Sequence, residues 1–171
     1  MNALGLDLGS KTGYAILQDE KIECGTKKLR TSTPGSRFCD FYCWMTGLIS
    51  TSNPQIIFFE RVYSHNGTEA AHVYGAFMYI LISMCEVRGI RCVGLSVCAI
   101  KKHLSGSGRA SKSDMIAAAR ALGYAPVDDN AADAIGVLLC GLNTTKQLII
   151  KPEHTEAQSM ADEWPTWRYR G

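Results

Sequence analysis

The spacing of the apolar residues changes along the chain in an order that few folds accommodate. Residues 3–8 (ALGLDL), 12–18 (TGYAILQ) and 21–28 (KIECGTKK) are short strand-like runs with no helical stretch between them, the last two joined by a tight turn at Asp19-Glu20. The spacing then switches. After Thr33-Pro34-Gly35-Ser36, the residues Phe38, Phe41, Tyr42, Met45, Leu48 and Ile49 recur on one face of a helix that Asn53-Pro54 stops near Ser52. From there the elements alternate: a strand at 56–60 (IIFFE), a helix from Thr68 to Arg88, a strand at 91–96 (RCVGLS) and a short helix from Val97 to Leu104. A Gly/Ser-rich loop, 105–111, leads to a helix from Lys112 to Leu122 capped by Ser111; a linker at 124–128 leads to a last helix from Asp129 to about Leu142. This order predicts an α/β domain: a mixed five-stranded sheet, opening with an antiparallel meander and flanked by helices on both faces.

A length of 171 residues suits one domain. We draw it at 1–145 and leave 146–171, which holds Trp164 and Trp167 and shows no clear period, as a segment of unassigned role. Seven cysteines form an odd set without a C-x-x-C pair, and Cys39 and Cys43, four apart on a helix, are too few for a structural zinc site. Reduced thiols in a reducing cytosol are expected. The opening residues show no basic stretch followed by an apolar core, and the apolar run from Ala70 to Cys85 is interrupted by His72. We therefore expect neither a secretory signal nor a membrane span, and a place in the cytosol. A net charge of +2 means that any attraction to nucleic acid rests on a local patch.

Three acids occupy positions that chemistry must explain. Asp7 lies within an apolar strand between Leu6 and Leu8, where an ionised carboxylate costs several kcal/mol unless it is paired, metal-bound or at a solvated edge. Glu60 closes the run Ile56-Ile57-Phe58-Phe59 at the carboxyl end of a strand, where open α/β sheets place their sites. Asp133 stands a full turn inside the last helix among Ala131, Ala132 and Ala134, residues small enough to let that helix lie close on a sheet. Asp128 and Asp129 read naturally as helix capping and dipole compensation, yet Asp129 and Asn130 share a face with Asp133. Acids brought together from distant segments repel one another unless cations lie between them, and oxygen ligands select Mg²⁺, with Mn²⁺ able to substitute. Two such ions about 4 Å apart would suit phosphodiester hydrolysis.

Lys101, Lys102, His103, Arg109 and Lys112 fall within twelve residues, among Gly, Ser, Leu and Ala. They are either a solvated basic loop or a phosphate-binding one. Lys112 opens a helix, where the dipole disfavours a cation, which suits a residue facing the scissile phosphate. Tyr63 follows Glu60 on an expected loop with Ser64, His65 and Asn66, either packed as a lid or exposed to stack on a base. His65 and His72 receive no role.

Together these segments resemble the RuvC family of Holliday junction resolvases, within the RNase H-like superfamily. Leu4-Gly5-Leu6-Asp7-Leu8-Gly9 with Thr12-Gly13-Tyr14-Ala15 is similar to the family's opening strand and hairpin, and Phe59-Glu60-Arg61-Val62-Tyr63 to its second acid and aromatic. Ile100-Lys101-Lys102 through Lys112 resembles its basic loop, and Ala132-Asp133-Ala134 its final acid. Ala70-Ala71, Tyr74-Gly75 and His65 look more like phage-encoded members. The resemblance implies an RNase H-like fold and a homodimer that makes paired symmetric nicks in four-way or branched DNA. It implies catalytic metal ligands at Asp7, Glu60, Asp129 and Asp133, with Lys112 also catalytic. Tyr63, Lys101, Lys102, Arg109 and Lys112 would contact DNA. Asn130 departs from the pattern, which has a ligand three residues before the last Asp; either Asn130 ligates through its amide oxygen or Asp129 supplies the fourth carboxylate, and we favour Asp129, because a charged ligand holds a divalent cation better. The helix from Thr68 to Arg88, with Ala70, Ala71, Gly75, Ala76, Phe77, Ile80, Leu81 and Met84, is the expected dimer face unless it is core. The alternatives are an RNase H-like nuclease for another branched DNA or structured RNA, and a catalytically weakened junction binder. An actin-like ATPase or sugar kinase needs two such domains around its nucleotide, more than 171 residues supply.

Overall fold

The computed structural model describes residues 1–30, 33–63 and 67–150. Ser64, His65 and Asn66, and the segment from 151 onward with Trp164 and Trp167, lie outside the described residues. Five strands, β1 (Ala3–Asp7), β2 (Lys11–Gln18), β3 (Lys21–Lys28), β4 (Ile56–Arg61) and β5 (Arg91–Ser96), form one sheet in the order β3-β2-β1-β4-β5. β1, β2 and β3 are an antiparallel meander, and β4 and β5 join parallel to β1. The hairpin between β2 and β3 turns on Asp19 and Glu20, both at positive φ (50° and 64°), the pair of left-handed residues a two-residue turn demands.

The helices are α1 (Pro34–Ser52), α2 (Thr68–Arg88), α3 (Val97–Ser105), α4 (Lys112–Ala121) and α5 (Asp129–Ile150). Strand alternation sorts them into two layers. Leu4, Leu6, Ile57 and Phe59 pack with Phe41, Met45, Phe77 and Leu81 of α1 and α2. Ala3, Ala15, Ile56 and Phe58 pack with α3, α4 and α5 on the other face. Asp7, in step with Ala3 and Gly5, therefore turns toward α5, as does Glu60, in step with Ile56 and Phe58.

The last helix runs eight residues beyond the expected end at Leu142 and through the boundary expected at 145. Asn143, Thr144 and Thr145 look like helix-breaking polar residues in sequence. In place, the two threonine hydroxyls donate back to the Cys140 and Gly141 carbonyls at 2.9 and 3.0 Å, so the helix absorbs them. The face of α2 offered for dimerisation is also divided: Phe77, Leu81 and Met84 belong to the core, Ala70 is exposed, and Ala71, Gly75, Ala76 and Ile80 are half-buried. Among the described residues α2 is the one helix long and apolar enough to cross a membrane by length and composition. Its buried stripe from Tyr74 to Cys85 ties it to the sheet.

Candidate active site

The site is built by close approach. α5 crosses β1 and β2 where they carry glycine: a Cβ on Gly5 would lie 2.6 Å from the Ala134 carbonyl oxygen, and one on Gly13 would overlap the Asn130 carbonyl. Gly13 pairs with Asp7 across the β1–β2 ladder, so the first turn of α5 rests beside Asp7. The register Leu6↔Phe59 ends one step before Asp7 and Glu60, which brings the two acids to adjacent strand ends. Asp133, one turn into α5, completes the cluster from above.

A cavity of about 270 Å³ opens here, lined by Asp7, Glu60, Asp129, Asn130, Asp133, Lys101 and Lys112, with Val97, Ile100 and Met115 as its apolar wall. Burial, then the charges of Glu60, Asp133 and Asp129, push the Asp7 carboxyl from the ordinary 3.8 to about 8, Lys112 pulling the other way. Glu60 is raised by burial and by Asp133, against the pull of Lys101. Asp133 is raised by burial, with Asp129 adding and Lys101 and Lys112 opposing. Asp129 goes the other way: Lys112 Nζ donates to its Oδ2 and holds it below the carboxylate range. As they stand, no three His, Cys, Asp or Glu side chains among the described residues form a group that could hold a metal ion. Of the four acids, Asp129 is engaged by Lys112. The donor set is nevertheless that of a hard cation: carboxylates facing one solvent-open cavity, three of which, Asp7, Glu60 and Asp133, have their proton affinity raised by burial first and by one another's charge second.

The expected residues divide as follows. Asp7, Glu60, Asp129, Asp133 and Lys112 converge, with Asn130 beside them. Lys102 and Arg109 are exposed, and Tyr63 is 77 % exposed with the Arg61 guanidinium 5.1 Å from its ring centre. Lys101 lies on α3, inside the helix expected from Val97 to Leu104, is half-buried, and Nζ donates to the Ala110 carbonyl at 2.8 Å while its charge opposes the raised affinities of Glu60 and Asp133. It is a cation of the cavity wall. Asp128 is a cap, as its position at the helix start suggested: Oδ1 accepts from the Ala131 amide at 2.9 Å and from the Thr26 hydroxyl at 2.5 Å, which pins the start of α5 to β3.

Sequence reasoning missed Tyr74. Its buried hydroxyl donates to the Glu60 carbonyl at 2.8 Å and accepts from the Val62 amide at 3.0 Å, clamping the strand end from which Glu60 and Tyr63 project. No local signal marks it, since the partners are 14 and 12 residues away and the contact needs α2 folded back on β4.

Comparison with known proteins identifies the family. The family model described as crossover junction endodeoxyribonuclease RuvC matches residues 3–141. The RuvC protein of Halorhodospira halophila is 31% identical over 146 residues, covering 80% of this chain and 87% of its own. That of Shewanella baltica is 33% identical over 156 residues, covering 85% and 89%. Among solved structures, Thermus thermophilus RuvC in complex with Holliday junction substrate superposes with a TM-score of 0.75 at 18% identity, over 86% of this chain and 96% of that one. The yeast mitochondrial Holliday junction resolvase superposes with a TM-score of 0.60 at 14% identity, over 86% and 80%. The sheet order, the two helical layers and this match make the fold RNase H-like, and the chain belongs to the RuvC family of crossover junction endodeoxyribonucleases.

Proposed function

We propose that this cavity hydrolyses phosphodiester bonds in four-way DNA junctions, with Asp7, Glu60 and Asp133 as the catalytic acids. The observation that carries the reading is their convergence, from β1, β4 and α5, on one cavity that also holds two lysines. Asp7, Glu60, Asp133 and Asp129 would hold divalent cations, Mg²⁺ first and Mn²⁺ in its place, which when bound supply an activated nucleophile and stabilise the leaving oxygen. Asp129 serves once Lys112 lets it go, and substrate supplies the reason. A phosphate at the cavity offers Lys112 another anion, freeing Asp129 for a cation and placing the ammonium against charge that develops on the phosphorus oxygens. Lys101, fixed to the Ala110 carbonyl, stays and offsets the acids. Lys102 and Arg109 bind backbone phosphates from the rim. Tyr63, exposed and partly covered by Arg61, stacks on an unpaired base at the junction centre.

Two symmetric cuts require two sites. We assign the second to another copy of this chain, docked through the outer side of α1 and α2, where a groove of about 370 Å³ is lined by Tyr42, Tyr79, Ile80, Ser83, Met84, Val87 and Arg88. Tyr79 and Val87 are 55 % and 84 % exposed there.

The decisive experiment sets a synthetic four-way junction beside a linear duplex of the same sequence. Paired nicks in the junction, an intact duplex and loss of cutting in chelator are expected. Equal cutting of both would overturn the junction reading, and full activity in excess chelator would overturn the metal.

A further inference from the structure

Across the cavity from the α3–α4 loop, the sheet carries two lysines where sheets avoid them. The β2–β3 register sets Lys11 directly opposite Lys28. On β2 the side chains of Ala15 and Leu17, and on β3 those of Ile22 and Cys24, enter the core beneath α5. The alternation therefore turns Lys11 and Lys28 to that same face, the face of Asp7. Like charges directly opposite on antiparallel strands destabilise the pair. Both lysines are exposed, and among the described residues neither forms an ion pair. The nearby acids are engaged elsewhere: Asp40 with Lys27, and Asp128 with Thr26 and the Ala131 amide, Lys11 being the least of the influences on Asp128. Arg30, exposed two residues past Lys28, extends the positive edge.

Position links this pair to the cavity. Lys11 lies two residues beyond Gly13, the partner of Asp7, hence about 7 Å further toward the open end of the sheet. β3 lies two strands from β1, about 10 Å. A nucleic-acid strand advances about 3.4 Å per nucleotide in a duplex, so these offsets reach phosphates roughly two to three nucleotides from a bond held in the cavity. The acids then sit between two positive banks, one formed by Lys102, Arg109 and Lys112, the other by Lys11 and Lys28.

We propose that Lys11 and Lys28 form a second phosphate clamp, which holds the backbone of the nucleic-acid arm that leaves the acidic cavity over the β2–β3 edge. The clamp rests on the nuclease reading above and adds to it the path of the substrate. It explains why two unpaired cations are kept opposite each other at a cost to the sheet.

The test measures binding of a synthetic four-way junction across a salt series in chelator, for the wild type, Lys11→Ala/Lys28→Ala and Lys11→Arg/Lys28→Arg. The alanine variant removes two contacts from each of the two copies on a junction, so it should show a log–log salt slope shallower by about 4 and an affinity near 0.1 M salt lowered on the order of a thousandfold. The arginine variant should retain both wild-type values, and the alanine variant should melt no lower than wild type, because a like-charge pair has been removed. Replacing single phosphates with neutral methylphosphonates should weaken the wild type at a position within about three nucleotides of the cut and leave the alanine variant indifferent there. A wild-type slope in the alanine variant, or a methylphosphonate profile shared by both proteins, overturns the clamp. Should the wild type bind linear duplex as tightly as the junction, the junction reading fails, while the slopes of the same variants on duplex still decide the clamp.

Discussion

Against α1 and α2 the sheet presents Leu4, Leu6, Ile57 and Phe59, and those helices answer with Phe41, Met45, Phe77 and Leu81. Phe41 and Phe77 stack with ring centres 4.5 Å apart, and Phe38 meets Phe77 edge-on at 5.6 Å. Against α5 the sheet presents Ala3, Gly5, Gly13 and Ala15, and the helix answers with Ala132 and Ala134. Large side chains on one face hold the helices off and bury apolar area, which stabilises the fold. Small ones on the other let a helix backbone approach the strands, so that short carboxylate side chains from both meet. One face supplies cohesion; the other spends some of it on a cluster of like charges.

The sharpest way to break this comparison is Asp7→Asn. Cleavage should fall by at least about a thousandfold, as for removal of a residue central to a catalytic unit, while junction binding holds. Without metal, the variant should melt higher than wild type, since a repelled buried charge has gone. Wild-type cutting by the variant would remove Asp7 from the site. On the opposite face Phe77→Ala should reverse the pattern, costing about 3–5 kcal/mol of stability by denaturant titration. Its activity per folded molecule should stay near wild type at low temperature.

A pH titration sharpens the same contrast. Asp7 has its folded affinity raised from 3.8 to about 8, so the folded state keeps a proton that the unfolded chain has lost. Its destabilising effect is absent below about pH 4, grows as pH rises and is complete above about pH 8. Glu60 and Asp133, raised by burial first, act in the same direction. Metal-free protein should therefore lose stability from pH 5 to pH 8, on the order of several kcal/mol, and Mg²⁺ added at pH 8 should restore it. A melting temperature that rises over this range without metal would contradict the raised carboxyls. Asp128 and Asp129, held low by Thr26 and Lys112, contribute in the opposite sense, and their share is lost as pH falls below about 4.

Lys112→Ala should slow cleavage about a hundredfold with little loss of affinity, whereas Lys102→Ala should weaken binding and flatten its salt dependence with the rate at saturation preserved. Equal effects of the two on affinity alone would place Lys112 on the rim. The smallest effect belongs to Tyr74→Phe. It removes one hydroxyl between the Glu60 carbonyl and the Val62 amide, for about 1 kcal/mol of stability. Its sign as a positioning residue is a fall in the rate at saturating junction with unchanged affinity; a loss of stability with an unchanged rate would make it a purely structural tyrosine.

The apolar spacing alone determined the element order, the meander, the two-layer α/β class and the suspicion attached to Asp7, Glu60 and Asp133. These are local properties: a period is set by the few residues around it, and a carboxylate in an apolar run is anomalous wherever the run folds. The alanines at 131, 132 and 134 around Asp133 even announced a helix lying close on its neighbour. The tertiary structure decided the rest. Lys101 and Lys102 are adjacent in sequence, yet the rotation of α3 turns one into the cavity and the other to solvent. Asp128 and Asp129 are likewise adjacent, one bound to Thr26 across 102 residues and the other to Lys112 across 17. Leu142 looked like a helix end until Thr144 and Thr145 found carbonyls one turn back. Which charged side chain meets which depends on strand register and on how near α5 sits to β1 and β2. Both are set by contacts such as Gly5 to Leu138, between segments far apart in the chain, and no local spacing encodes them.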